Sequence, residues 1–304
     1  DGNTLHGEKF IIATGSKAKH LPSLDHSSKH IMTAKDIFNL KKLPKSMTII
    51  GAGAIGVEFA YFFNALGSKI TLLEAQENIL PNEDIEISQW MHKVLKRKKI
   101  DIQTNTIATD INDEYVLVSI GVEGNSNGFG LNKIGVEIDE NHHIKVDQNG
   151  KTNIDNIFAV GDVIGPPWLA HVSSTEGLYV VEHIAKLNPK QIDYDCVPAC
   201  TYSKPEIGSI GLSQKILDER GIDYKVAKSF FNANGKAVAS SSTEGFIKIL
   251  VSNDNRILGA HIIGSNATEM ISEFSLAMRN NLSVENVLDS IHPHPTFSEA
   301  IFET

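Results

Sequence analysis

The chain has 304 residues, 41% of them hydrophobic and 21% charged, with a formal net charge of −9. That length accommodates two or three domains with buried cores, and the acidic balance argues against a nucleic-acid or anionic-membrane surface. No apolar run approaches the roughly eighteen residues of a membrane span, and the start, DGNTLHGEKF, lacks an initiator methionine and a signal-peptide pattern, so the sequence is expected to begin inside a larger protein.

In chain order, Lys9 to Ala13 (KFIIA) reads as a short buried strand closed by a turn at Thr14-Gly15-Ser16. The polar, proline-containing stretch from Lys17 to Ser28 reads as a crossing between domains. Ser46 to Ile50 is expected to be a strand and GAGAIG the turn after it. Ile55, Phe59, Phe62, Phe63 and Leu66 then recur at helical spacing until Gly67 ends the helix. A second strand, Lys69 to Leu73, runs into Glu74 and completes a βαβ unit. Asp84 to Lys98 reads as an amphipathic helix with Ile87, Trp90, Met91, Val94 and Leu95 on one face. Its Lys96-Arg97-Lys98-Lys99 end suits a solvated helix C-terminus better than a phosphate patch. Tyr115 to Ile120 and Asn156 to Val160 are further apolar strands. Beyond Asp193, the pieces FIKILV and ILGAHII and a helix near Ala267 to Asn280 point to an α+β domain.

The chain has two cysteines, Cys196 and Cys200 in CVPAC, too few for a disulfide scaffold. Pro198 disfavours helix between them, and an extended strand separates their Cα atoms by roughly 13 Å, beyond disulfide reach, so no redox pair is expected there.

Gly51, Gly53 and Gly56 form G-x-G-x-x-G between an expected strand and helix, the context of a dinucleotide fingerprint. Gly51 permits the tight turn, Gly53 admits a pyrophosphate, Gly56 allows close helix packing, and the helix N-terminus favours phosphate. Glu74 stands where a carboxylate accepts hydrogen bonds from the adenosine ribose. No Arg or Lys follows from Ala75 to Leu80 to take a 2′-phosphate, which favours NAD over NADP. In IFAVGD, a strand ends at Gly161 and leaves Asp162 at its carboxyl end, either as a common turn or as a ligand site. Near the C-terminus, IHPHPTFSEA sets His294 on a stiff extended segment between prolines. Thr296 and Glu299 fit a capping box, in which Glu299 satisfies the Thr296 amide. Equally, Glu299 can orient His294 as a general base, and spacing alone leaves both readings open.

Taken together, ATGS at Ala13 to Ser16, GAGAIGVE at Gly51 to Glu58, IFAVGDV at Ile157 to Val163, LAHVSSTEG at Leu169 to Gly177 and the terminal HPHPTFSEA resemble the flavin-dependent pyridine nucleotide–disulfide oxidoreductases, in particular the dihydrolipoamide dehydrogenase branch. The resemblance implies an α/β fold: a Rossmann-type NAD-binding domain plus part of an FAD-binding domain, followed by an α+β dimerisation domain. The boundaries it implies are 1–27 for the end of the FAD-binding domain, 28–121 for the NAD-binding domain, 122–192 for a return to the FAD-binding and central domain, and 193–304 for dimerisation. It implies that Thr14, Gly15, Ser16, Gly161, Asp162, Trp168, Leu169, Ala170 and His171 approach FAD. It assigns Gly51, Ala52, Gly53, Ala54, Ile55, Gly56, Val57, Glu58, Glu74 and Gly121 to NAD, with Glu58 near the nicotinamide. His294 and Glu299 match the family's acid–base dyad, which works on the thiols of the other subunit's active site, and His292 matches a position where only packing is expected.

Such enzymes oxidise protein-bound dihydrolipoamide through a disulfide and FAD with reduction of NAD⁺. The implied partners are a second copy of the chain and the lipoyl-bearing acyltransferase of a 2-oxo acid dehydrogenase complex, with no metal, and the implied setting is bacterial cytoplasm rather than mitochondrial matrix. The family's redox cysteines sit on an N-terminal FAD-binding segment that this sequence does not contain, so the segment alone is expected to be inactive. The stretch between Thr106 and Tyr115 is shorter than the family's usual excursion of strands. After Gly121, Val122-Glu123-Gly124-Asn125 replaces a basic residue and a proline, and the chain stops short of the usual tail. Two rivals remain: a glutathione- or mercuric-type reductase of the same family, and a non-catalytic NAD-binding dimerisation module.

Overall fold

The computed structural model describes residues 4–108 and 113–304. The chain divides into two compact units, one formed by Asp1–Lys19 with Gly121–Asp193 and the other by His20–Ile120 with Tyr194–Thr304. Part of the short stretch between Thr106 and Tyr115, residues 109–112, lies outside the described residues.

The larger unit holds two sheets. The first has five parallel strands in the order Ile31–Thr33, Tyr115–Val118, Ser46–Ile50, Lys69–Leu73, Asp101–Gln103. Continuous apolar runs suit a parallel sheet covered on both faces, and Met47, Ile49, Ile70, Leu72 and Leu117 are fully buried in its core. The register pairs Ile50 with Leu73, so the two strands finish side by side and deliver Gly51 and Glu74 to one sheet end. The expected helices follow as Ala54–Ala65 and Ile85–Arg97. The second of these is capped by Asp84, whose carboxylate accepts the Glu86 amide at 3.0 Å.

The apolar stripe expected on the first helix is only partly inward. Gly56, Val57, Ala60 and Phe63 form its buried face, whereas Ile55, Phe62 and Leu66 are exposed. Close approach at Gly56 selects that face. A Cβ there would collide with the carbonyl oxygen of Gly51, so the helix is pressed to the sheet through its smallest residue, while Ile55, Phe62 and Leu66 turn aside.

The second sheet is antiparallel, in the order Ala199–Thr201, Glu206–Gly211, Ile257–Gly264, Phe246–Val251, Lys225–Phe230. Helix Ala267–Arg279 packs on it through Met270, Ile271, Phe274 and Ala277. All six residues of Phe246–Val251 are buried, including Lys248. Its Nζ lies 2.8 Å from Asp84 and 3.0 Å from Glu86, so a run that reads as apolar carries an ion pair into the core.

In the smaller unit, Phe10–Ile12 pairs in parallel with Ile157–Ala159, and Ser16–Ala18 pairs antiparallel with Val122–Gly124. Helix Ala170–Ile184 follows. Phe10 and Ile11 are exposed, contrary to the buried strand read from KFIIA, because this sheet has two strands among the described residues, too few to cover both faces.

Candidate functional site

The glycine-rich loop is shaped by backbone contacts. Gly51 has φ +95°, and a Cβ there would lie 2.5 Å from the Ser119 carbonyl oxygen. Its amide donates to the Leu73 carbonyl at 2.8 Å, which pins the loop to the neighbouring strand. The helix then starts with Val57 N donating to the Gly53 carbonyl at 3.0 Å, and no side chain caps it. Its first-turn amides, on Ala54, Ile55 and Gly56, therefore have no partner within the helix, and a Cβ on Gly53 would meet nothing within 4 Å.

Glu74 is 7% exposed. Oε2 accepts the Ala52 amide at 2.7 Å and Oε1 accepts the Gln76 amide at 2.9 Å. The expected ribose acceptor is thus also the strut of the loop, and each oxygen keeps a second lone pair for a hydroxyl. Leu80 completes the loop by donating its amide to the Ala52 carbonyl at 2.7 Å. Glu58, on the following helix, accepts the Tyr202 amide at 2.7 Å beside a cleft of about 500 Å³ lined by Phe38, Leu40, Phe59 and Phe62. Burial pushes its carboxyl above the ordinary value, against the pull of that amide.

In the smaller unit, Asp162 follows Gly161 in a turn at the end of strand Ile157–Ala159, and its Oδ2 accepts from the Ser16 hydroxyl at 2.7 Å. The Gly161 amide donates to Glu176 at 2.6 Å, and Asn125 braces the facing turn by donating to the carbonyls of Gly15 and Thr14 at 2.9 and 3.2 Å. The Thr14 hydroxyl is buried without a hydrogen-bond partner among the described residues. An orphaned buried hydroxyl beside a turn rich in glycine and carboxylate is what a polar cofactor would complete. Leu169 is the N-cap of helix Ala170–Ile184, again with no side-chain cap. His171 lies in the first turn, and the Trp168 ring stands before it, 6.1 Å from the His143 ring. Gly121 has φ +101°, and its carbonyl accepts the Lys19 amide at 3.0 Å.

Back in the larger unit, Nδ1 of His294 lies 2.8 Å from Oε1 of Glu299, and Oε2 accepts the Thr296 amide at 2.8 Å. Both sequence readings of Glu299 are therefore realised in one carboxylate. The capping box is incomplete, because the Thr296 hydroxyl turns to the Pro293 carbonyl at 2.6 Å instead of returning to the helix. With Nδ1–H donated, the basic lone pair of His294 is on Nε2, on a side chain 77% exposed. His292 does more than pack: its Nε2 lies 2.9 Å from Oε1 of Glu273. Cys196 and Cys200 are not joined in a disulfide, one ending a short turn and the other within strand Ala199–Thr201.

Sequence reasoning missed Glu176, Asn125 and Glu273. Glu176 and Asn125 lie inside stretches already singled out, whereas Glu273 sits mid-helix with no local signal. Among the described residues, no group of three His, Cys, Asp or Glu side chains is placed to hold a metal, and no helix is long and apolar enough to cross a membrane.

The family model described as pyridine nucleotide-disulphide oxidoreductase matches residues 1–177, and that of its dimerisation domain matches 197–304. The chain is 39% identical over 326 residues to the dihydrolipoyl dehydrogenase of Bacillus subtilis, spanning 100% of this chain and 69% of that protein. It is 35% identical to the dihydrolipoyl dehydrogenase of Zymomonas mobilis, over 99% of this chain and 69% of that one. Among solved structures, the HOCl-induced flavoprotein disulfide reductase RclA from Escherichia coli is similar with a TM-score of 0.90 at 28% identity, covering 98% of this chain and 73% of that one. LpdA from Mycobacterium tuberculosis, with a TM-score of 0.91 at 24% identity over 97% of this chain and 68% of that one, shares the fold.

Proposed function

We propose that this chain, which belongs to the pyridine nucleotide-disulphide oxidoreductase family, supplies the nucleotide-binding and dimerisation machinery of a dihydrolipoyl dehydrogenase, oxidising protein-bound dihydrolipoamide through a disulfide and FAD with reduction of NAD⁺ to NADH. The observation that carries this reading is the His294–Glu299 contact, with the far nitrogen of the ring left open.

Glu299 holds the imidazole in the tautomer that presents Nε2, and its negative charge stabilises the ring once protonated. Nε2 takes the proton from a substrate thiol, and the thiolate attacks the enzyme disulfide, releasing one disulfide sulfur as a thiolate. Glu74 receives the adenosine ribose, the amides of Ala54, Ile55 and Gly56 receive the pyrophosphate, and Gly51, Ala52, Gly53 and Val57 shape that approach. Glu58 serves the nicotinamide end, and Gly121 is a further residue assigned to NAD. Thr14, Gly15, Ser16, Gly161 and Asp162 hold the flavin's polar chain, while Trp168, Leu169, Ala170 and His171 meet its ring. The orphaned Thr14 hydroxyl supports that assignment. Bound FAD would relay two electrons between the disulfide and NAD⁺.

The dimerisation domain matched at 197–304 supports a homodimer. The further partner in this reading is the lipoyl-bearing acyltransferase of a 2-oxo acid dehydrogenase complex in the bacterial cytoplasm. The test is the complete flavin-containing enzyme assayed with dihydrolipoamide and NAD⁺. Reduction of NAD⁺ at a rate saturable in dihydrolipoamide is expected. Activity confined to NADPH with glutathione disulfide or mercuric ion would transfer the chain to the reductases. Absence of flavin absorbance with intact NAD binding would leave the module reading.

A further inference from the structure

We propose that His292 and Glu273 form a positioning pair that fixes the segment bearing His294 to the dimerisation sheet, so that turnover of the dithiol depends on a contact that never touches substrate; this rests on the dyad reading above. His292 is two residues before His294, yet the two side chains are disposed oppositely: 8% of the His292 side chain is exposed against 77% for His294. The buried ring gives its Nε2–H to Glu273 Oε1 at 2.9 Å, and its Nδ1 has no partner among the described residues, so the Glu273 bond sets the orientation of the ring. Glu273 stands on helix Ala267–Arg279, whose Met270, Ile271, Phe274 and Ala277 are buried against the sheet, and that packing makes it a rigid anchor.

On the far side of His294 the chain is held by other bonds. Asn234 donates to the Thr296 carbonyl at 3.1 Å, the Thr296 hydroxyl to the Pro293 carbonyl at 2.6 Å, and the Thr296 amide to Glu299. On the near side, Ile291 is 99% exposed. The His292–Glu273 bond therefore ties down the approach to a base whose own side chain is 77% exposed. A displacement on the order of 1 Å at a reacting group can cost about a hundredfold in rate, so a tie at this point bears on turnover and not on stability alone.

The experiment uses the complete flavoenzyme and three changes. His292→Phe fills the ring's space without a donor, Glu273→Leu removes the acceptor, and His292→Gln places an amide nitrogen at about the reach of Nε2. His292→Phe and Glu273→Leu are each expected to lower kcat for dihydrolipoamide about tenfold or more, leaving hydride exchange between NADH and flavin unchanged. The double variant should be no worse than the poorer single one, because both break one bond. His292→Gln should recover turnover to within about twofold of the parent. Reduced thermal stability with unchanged kcat in both truncations, or a loss in His292→Gln equal to that in His292→Phe, would overturn the pair. A parent enzyme inert toward dihydrolipoamide would instead defeat the proposed reaction, and the pair is then judged separately. In that case the rate of diethyl pyrocarbonate modification of His294, followed by peptide mass spectrometry, should change in both truncations and return in His292→Gln. An unchanged rate would sink the positioning role.

Discussion

His294 meets Glu299 through one oxygen of a carboxylate whose other oxygen is already taken: Nδ1 stands 2.8 Å from Oε1, while the Thr296 amide donates to Oε2. The amide fixes the carboxylate so that the ring finds its partner in place. The Thr296 bond first, and the His294 bond second, hold the Glu299 carboxyl below its ordinary value. It therefore remains an anion throughout the range where imidazole works as a base.

In the complete enzyme, His294→Gln should lower turnover of dihydrolipoamide by about 10² to 10⁴, the usual contribution of a positioned base. Glu299→Gln should lose less, since an amide oxygen still orients Nδ1–H but no longer stabilises the charged ring. Exchange between NADH and flavin should survive both changes. Parent-like turnover in His294→Gln, with Glu299→Ala reducing only thermal stability, would return Glu299 to the role of a cap.

The loop makes a second prediction. Glu74→Ala removes two acceptors of backbone amides together with the acceptor that the proposed function gives to the ribose hydroxyls. NAD affinity should fall about ten- to a hundredfold, and discrimination against NADP should narrow because the repelling charge is gone. Glu74→Gln keeps one acceptor oxygen and should fall between the parent and Glu74→Ala. Unchanged affinity in a fluorescence titration of Glu74→Ala would remove Glu74 from the site.

Much of this was legible in the sequence because it is written in local patterns. The strands Ser46–Ile50 and Lys69–Leu73, the glycine turn between them and the helix after Asp84 each carry their own spacing signal, and the structure places them as expected. What escaped was what depends on a partner from afar. Helical spacing groups Ile55, Phe62 and Leu66 with Phe63, but only the close approach at Gly56 decides which of them turns inward. FIKILV looks like an apolar strand with one errant lysine until Asp84, 164 residues earlier, is found against Lys248. His292 reads as packing because Glu273 gives no local sign of being its partner.

The cysteines test a simpler geometric point. Cys196 and Cys200 are not joined in a disulfide, separated by the change from a short turn to a strand, and burial pushes the Cys200 thiol up. Unreduced protein treated with a thiol reagent under denaturing conditions should take label at both positions. Recovery of a peptide with the two joined would reverse the assignment.

Glu83 links the dinucleotide sheet to the dimerisation sheet within the larger unit and should give the fold a signature in pH. Its carboxyl turns inward to accept from the buried Ser209 hydroxyl at 2.7 Å, next to Asp84 and its ion pair with Lys248. Burial raises it from the ordinary 4.5 to about 7, with the Asp84 charge adding to the rise and the Ser209 bond opposing it. A carboxyl raised in the fold is neutral in both states at low pH. As pH climbs from about 4.5 to about 7, the unfolded chain loses the proton first, so the fold loses stability across that window. The interval corresponds to at most about 3 kcal/mol, less whatever solvent screening reaches the carboxyl. Glu83→Gln keeps an oxygen for Ser209 without the charge. Relative to the parent, it should be nearly unchanged in thermal stability at about pH 4.5 and more stable at about pH 8, by at most that same amount. An equal difference between variant and parent at both pH values would mean that Glu83 titrates as an ordinary carboxyl and that burial does not set its charge.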